Sequence, residues 1–246
     1  MTKLSEFEQL LIRSQNELGT SVLLILLWIA ASDGAIHPSE IKSLSEVSEE
    51  TKHGHDIRPL IVLVKNRNHE AIQLACEILQ NHFHGEKANL FLSLAIGMAI
   101  ADGYLLATEN HILRFLADLL GVNRKALNGL FISITGKEMP EPSDPSKATY
   151  WQAKEKARQR RNTNSSSQSS QTSGHPPSRD SKTVGAYATL GLEFGASKEE
   201  IKIAYRRLAQ VHHPDRFSSL GGESVSAATK TFQRIKIAYD HLVKHA

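Results

Sequence analysis

The sequence predicts an all-α protein with two helical units joined by a polar segment. Apolar residues recur at the three- and four-residue spacing of amphipathic helices through most of residues 4–135 and again after residue 183. β-branched alternation is scarce, so we expect no sheet. The chain has 246 residues, of which 40% are apolar and 22% charged. This length and composition suit soluble domains that each bury a core.

The first unit is predicted to be a helical bundle of residues 1–140. Short breaks at Gly, Asn and Pro separate its helical patterns, which cover residues 18–31, 57–65, 70–83, 88–100, 111–120 and 125–134. The most apolar run, Val22–Ala31, is about half of the roughly 20 residues that a membrane crossing needs. We therefore expect a buried core helix and no membrane span. No secretory signal opens the sequence, and its single cysteine, Cys76, suits a reducing compartment. These features predict a cytoplasmic protein.

An internal repeat lies within this unit. The segment 28–40 recurs at 98–109, and each copy has an apolar helix, an Asp-Gly pair, a hydrophobe and a Glu seven residues after the Asp. Asp33 and Asp102 are 69 residues apart, as are Glu40 and Glu109. A duplicated helical hairpin explains this spacing.

The repeated carboxylates allow two interpretations. Duplicated hairpins often pack about a pseudo-twofold axis, which would bring Asp33, Glu40, Asp102 and Glu109 together as ligands for Ca²⁺ or Mg²⁺. Alternatively, Asp-Gly supports a turn, and Glu in a first helical turn favours the helix dipole. No loop here has the ligand spacing of an EF-hand.

Residues 141–182 are predicted to link the two units. Pro140, Pro142 and Pro145 break the helical region, and a stretch rich in Lys, Arg and Gln follows. Residues 162–177 are mostly Ser, Gln, Thr and Asn, so they cannot offset their ordering entropy by burial. We expect a disordered linker here and a second domain over residues 183–246.

The second domain is predicted to contain an antiparallel helical hairpin. Ser197 and Glu200 have the spacing of a capping box, and an apolar face follows from Ile201. Pro214 ends this pattern, and a second apolar face runs from Ala228 to Leu242. Packing the two faces together leaves residues 213–215 at an exposed tip.

These residues resemble a J domain of the DnaJ type. The resemblance rests on the Tyr187–Leu192 start, the Tyr-Arg-Arg-Leu-Ala run from Tyr205, the His-Pro-Asp-Arg run from His213, and the pattern Phe232, Ile235, Ala238, Tyr239 and Leu242. It implies a protein that binds a DnaK-type (heat-shock 70-kDa) chaperone and stimulates its ATP hydrolysis. The residues expected to contact the chaperone are His213, Pro214, Asp215, Lys202, Tyr205, Arg206 and Arg207.

The two Asp-Gly copies in an all-helical region resemble a TerB-type (tellurite-resistance) domain. A TerB-like domain before a J domain is similar to DjlA-type co-chaperones, in which it would be a targeting or sensing module. DjlA-type proteins carry an N-terminal membrane segment, and this sequence shows none that is long enough. Membrane anchoring is therefore not carried over.

Two other function classes are open from the residues. The basic stretch from Lys147 to Arg161 would attract nucleic-acid phosphates in a salt-dependent way, although a solvated linker helix explains it as well. The acidic quartet would suit a metal-binding stress-response protein or a metal-dependent hydrolase. There is no nucleophile elbow, P-loop or dinucleotide fingerprint, so we expect no enzyme activity.

Overall fold

The structure, a computed structural model, describes residues 4–32, 56–100, 103–142, 144–152, 155 and 181–245. These residues form helices joined by turns, and the described part of the chain contains no strand, which confirms the all-α prediction. The N-terminal helices are α1 Glu6–Ser14, α2 Glu17–Ala30, α3 Arg58–Lys65, α4 His69–His82, α5 Glu86–Ala99, α6 Ala107–Leu119 and α7 Arg124–Thr135. The C-terminal elements are α8 Ser181–Thr189, α9 Lys198–Val211, a 3₁₀-helix Pro214–Leu220 and α10 Gly222–His245.

Local capping chemistry sets several helix ends. The side chains of Asn16, Asn68 and Asn123 each accept a hydrogen bond from the backbone N–H three residues later, at 2.9 to 3.0 Å, and so begin α2, α4 and α7. Gly136 ends α7 with a φ of 76°, a left-handed conformation that glycine adopts without strain. These signals lie in the sequence, which is why the predicted range 18–31 falls within one residue of α2 at each end.

Helices α2 and α5 form the centre of the molecule. Val22 to Leu27 are fully buried in α2, and the central residues of α5 are buried in the same way. A helix that is apolar on all sides must be covered on all sides. Helices α3 and α4 cover part of α2, and α10 of the C-terminal region packs against both α2 and α5. The prediction of a buried core helix at residues 22–31 is confirmed. Helices of both the N-terminal and the C-terminal region cover it.

None of the described helices is both long enough and apolar enough to cross a membrane. Helix α2, the most apolar of them, has 14 residues. At a rise of about 1.5 Å per residue it spans about 21 Å, which is shorter than the roughly 30 Å hydrocarbon core of a bilayer.

The start of the segment predicted as a linker packs on the N-terminal domain. Residues 148–152 are helical, and the Trp151 indole N–H donates to the Pro145 carbonyl at 2.9 Å. The Tyr150 ring meets His111 of α6 edge-on, with 6.3 Å between ring centroids. Residues 162–177, for which disorder is predicted, lie outside the described residues.

The C-terminal region forms the predicted antiparallel hairpin. The Tyr205 ring on α9 stacks on Tyr239 of α10, with 4.1 Å between centroids and 18° between planes. His213, later in the chain, meets Phe232, which is earlier in α10. Because the paired positions run in opposite directions, the two helices are antiparallel. Helix α8 packs across α10, and its first residue, Ser181, lies two residues before the predicted domain start.

Candidate functional site

The tip between α9 and α10 carries three consecutive residues, His213, Pro214 and Asp215. The His213 side chain is 50% exposed and that of Asp215 is 89% exposed, so both are open to a partner. The predicted exposed tip is built as a short 3₁₀-helix. Pro214 occupies its first turn, where the fixed φ of proline suits a helix start and the missing N–H is not needed.

The tip is anchored from below by apolar side chains. Phe217 and Leu220, on the buried side of the 3₁₀-helix, are 0% and 1% exposed. The His213 ring meets the Phe232 ring edge-on, with centroids 5.8 Å apart. The backbone N–H of Asp215 points to His213 Nδ1 over a long 3.4 Å. The exposed groups are thus presented on a fixed support.

Arg216 ties the tip to the end of α9. Its guanidinium donates to the carbonyl of Val211 at 2.9 Å and to that of Gln210 at 3.4 Å. The last carbonyls of a helix have no partner within the helix, and a cation there also complements the helix dipole. In the sequence, Arg216 was recognised only as part of the His-Pro-Asp-Arg run. Its position two residues after the helix-ending proline was the signal for this capping role.

A basic face lies along α9 beside the tip. Lys202 and Arg206 are exposed one helical turn apart, while Tyr205 is half-buried by its stack on Tyr239. The start of α9 is fixed by the predicted capping box, in which the Glu200 carboxylate accepts from the Ser197 backbone N–H at 2.7 Å. These hydrogen bonds from Ser197 lower the pKa of Glu200.

Arg207 differs from the other two basic residues of this face. It is half-buried, and its guanidinium donates to the backbone carbonyl of Thr135, at the end of α7, at 3.1 Å. Burial lowers the pKa of Arg207. The Arg207 Nε is buried without a hydrogen-bond acceptor among the described residues. The structure therefore places Arg207 against the N-terminal domain, whereas Lys202 and Arg206 face solvent.

His212, next to the exposed tip, is buried against the N-terminal domain. It is 1% exposed, and its ring lies so close to Gly97 of α5 that a Cβ added there would stand 2.4 Å from the ring. Burial, with the nearby charges of Arg234 and Arg216, lowers the pKa of His212 to about 4. Sequence reasoning missed this residue, because nothing in the sequence distinguishes it from an exposed histidine at a helix end.

Most of the acidic quartet lies outside the described residues, namely Asp33, Glu40 and Asp102. The fourth member, Glu109, accepts a hydrogen bond from the Leu106 backbone N–H at 2.8 Å and is 8% exposed. Glu109 thus acts at the start of α6, as the turn-chemistry interpretation expects. Within the described residues, no three His, Cys, Asp or Glu side chains are grouped as metal ligands.

Comparison with known proteins agrees with this architecture. The family model described as "DnaJ domain" matches residues 185–246, and that described as "Tellurite resistance protein TerB" matches residues 17–130. The chain is a J-domain protein with an N-terminal TerB domain, similar to DjlA-type proteins. The resemblance stated from the sequence is therefore confirmed, with the tip inside the J domain and α2 to α7 almost entirely inside the TerB match.

Similar proteins match different shares of this chain. A protein named co-chaperone protein DjlA from Pectobacterium atrosepticum is 32% identical over 158 residues, which are 62% of this chain and 53% of that relative. A protein of the same name from Shewanella oneidensis is 25% identical over 248 positions, covering 97% of this chain and 82% of the relative. A chaperone protein DnaJ from Methylibium petroleiphilum is 46% identical over 56 residues, 23% of this chain and 14% of that protein. No solved structure matches the chain significantly.

Proposed function

We propose that this protein is a co-chaperone whose J domain binds a DnaK-type chaperone and stimulates its ATP hydrolysis. The observation that carries this proposal is the exposed His213-Pro214-Asp215 tip on a support of buried side chains, inside a matched J domain. The relatives named co-chaperone protein DjlA support the same function. The protein acts by binding rather than by catalysis of its own, and we propose that it does so in the cytoplasm.

The tip and the basic face have complementary roles in this proposal. Asp215 presents a carboxylate that can form a charge-assisted pair with a partner arginine, which is among the stronger hydrogen bonds in proteins. Lys202 and Arg206, both exposed, attract an acidic chaperone surface and set its orientation. Tyr205 holds α9 against α10 through its ring stack, and Arg207 would add a further cation once it leaves Thr135.

Replacing Asp215 tests the proposed function directly. Asp215→Asn keeps the size of the side chain and removes its charge, so we expect it to abolish ATPase stimulation while the melting temperature stays within about 1 °C of wild type, as for other exposed sites. Single-turnover ATP hydrolysis by a DnaK-type chaperone is the measurement. Asp240→Asn on the exposed side of α10 is the matched control and should stimulate fully. Full stimulation by Asp215→Asn would contradict the proposal.

The TerB domain is proposed to decide where the J domain acts, as a targeting or sensing module. It contributes most of the buried core of the chain, and its α5 and α7 contact the elements beside the tip. A divalent cation held by the repeated carboxylates stays a prediction, as does the chaperone contact of each residue on the basic face.

A further inference from the structure

The J domain is held on the TerB domain by polar contacts at two distant points. At one point the Arg207 guanidinium donates to the Thr135 carbonyl. At the other, the Asn16 side-chain amide donates to the Glu223 carboxylate at 2.9 Å, and Glu223 is only 3% exposed. Asn16 begins α2 and Glu223 lies in the first turn of α10. The two contacts fix the orientation of the J domain as well as its position.

The two domains also approach each other closely at two glycines. The His212 ring lies over Gly97 of α5, and Ala188 of α8 lies over Gly103. At both places the TerB domain offers a glycine, so the J-domain atoms approach nearer than any side chain would allow. Contacts this close fit only one docked arrangement.

The docked arrangement divides the basic face of α9. Lys202 and Arg206 stay exposed, but the guanidinium of Arg207, the next residue, is turned to the TerB domain. We propose that docking of the J domain on the TerB domain is an autoinhibitory contact, in which Thr135 holds Arg207 away from the chaperone. The undocked protein then presents the complete face. This inference rests on the proposed co-chaperone function.

In this proposal Thr135 and the chaperone compete for the Arg207 side chain, and this competition produces the autoinhibition. Chaperone that needs the complete face binds only the undocked fraction, so its apparent affinity is reduced by that fraction. Any partner of the TerB domain that binds the undocked form better shifts the equilibrium towards activity. At saturating chaperone the undocked form is drawn out fully, so maximal stimulation is unchanged.

Two changes on the TerB side release docking without altering the basic face or the tip. Asn16→Asp keeps the oxygen that caps α2 at Gly19 but replaces the amide donor with a carboxylate that repels Glu223. Adding Glu223→Gln restores a donor, so the double variant should dock again. Gly97→Val places methyl groups into the His212 ring.

Each release variant has a matched control. For Gly97→Val it is Gly129→Val, which makes the same change inside α7 at a glycine with open space around it. For Asn16→Asp it is the double variant. Circular dichroism and thermal melts establish that each variant is folded before its activity is compared.

Docking and activity are measured separately in the full chain. Spin labels on Lys125→Cys and Lys236→Cys, one exposed site in each domain, report docking by pulsed EPR distances in a Cys76→Ala background. We expect Asn16→Asp and Gly97→Val to broaden this distance and to lower the protein concentration for half-maximal ATPase stimulation about three- to tenfold. The double variant and Gly129→Val should match wild type in both measurements.

The outcomes distinguish the inference from the function on which it rests. Absence of stimulation by wild type and by every variant would contradict the co-chaperone function. If wild type stimulates the chaperone, and the release variants broaden the EPR distance without a gain in activity, the autoinhibition alone would be overturned. Unchanged distances in both release variants would also overturn it, because these contacts would then not hold the domains together.

Discussion

His212 and His213 are adjacent in the chain and have opposite environments. The His213 side chain is half exposed at the tip, whereas His212 is buried over Gly97 with its Nδ1 unpaired among the described residues. A buried imidazole without an acceptor is stable only in its neutral form, since charge in an apolar site is costly. The packing of His212 between the two domains is therefore sensitive to pH.

We expect the stability of the protein to fall as the pH drops from about 6.5 towards about 4, in part through His212. Its pKa is about 4 when folded and about 6.5 when unfolded, so below pH 6.5 the unfolded chain binds a proton that the folded chain does not. The loss reaches about 3 kcal/mol at pH 4. Burial is the main cause of this low pKa, and repulsion from Arg234 and Arg216 contributes the rest.

The measurement is denaturant unfolding from pH 4 to 7. His212→Leu removes this titration, so the stability of the variant should fall less than that of wild type as the pH drops over this range. The exposed His84→Gln is the control for removal of a histidine, and a His212→Leu profile parallel to that of wild type would refute the assignment.

At the start of α6, Glu109 bears on both interpretations of the repeated carboxylates, the cation site and the turn chemistry. Glu109 satisfies the backbone N–H of Leu106, which has no partner within the helix. Nearby, the Ser32 hydroxyl, after α2, lies 3.3 Å from the Thr108 hydroxyl. Ser32 and Thr108 thus bring the two repeat copies into contact.

Glu109→Ala should lower the free energy of unfolding by about 1 kcal/mol, the usual cost of a lost helix-start contact. Glu109→Gln retains an acceptor oxygen and should lose less. Thermal melts with and without Ca²⁺ or Mg²⁺ make the comparison. A cation that stabilises wild type but not Glu109→Ala would instead support a shared carboxylate site.

An element could be predicted from the sequence where local residues determine it, and could not where tertiary packing determines it. Helices α2 to α7 and α9 were predictable because apolar period and capping residues are local signals. The 3₁₀-helix at Pro214 was not, because the burial of Phe217 and Leu220 decides it. The exposed tip was predictable from the hairpin, but Arg216 as its tether was visible only once α9 had an end to cap.

In the whole molecule, the interface between the domains was the part that the sequence did not predict. Residues 162–177 of the linker contain no apolar side chain that suggests contact, and Arg207 has the spacing of a solvated face. One signal was available: the first turns of α10 are rich in small residues, and Ser224, Ala227 and Ala228 are all buried. Small residues around a whole helix turn indicate close approach by another element.

Limited trypsin digestion tests the division of the chain together with its interface. The sequence predicts cutting between Arg158 and Arg179, where the polar linker offers several basic residues. We expect the two fragments to co-elute in gel filtration after cutting, because the contacts of Asn16 and Thr135 do not need the linker. Early cutting within α2 or α5 would show that the domains are divided otherwise. Separate elution of two folded fragments would show that the contacts of Asn16 and Thr135 do not hold the domains together.

The fit of His212 over Gly97 has an evolutionary consequence. The two positions share one volume across a domain boundary, so a larger residue at 97 is tolerated only with a smaller one at 212. Related chains that exchange one domain for another by recombination would inherit mismatched volumes at this point. Selection would then act on the pair of domains as a single unit of inheritance.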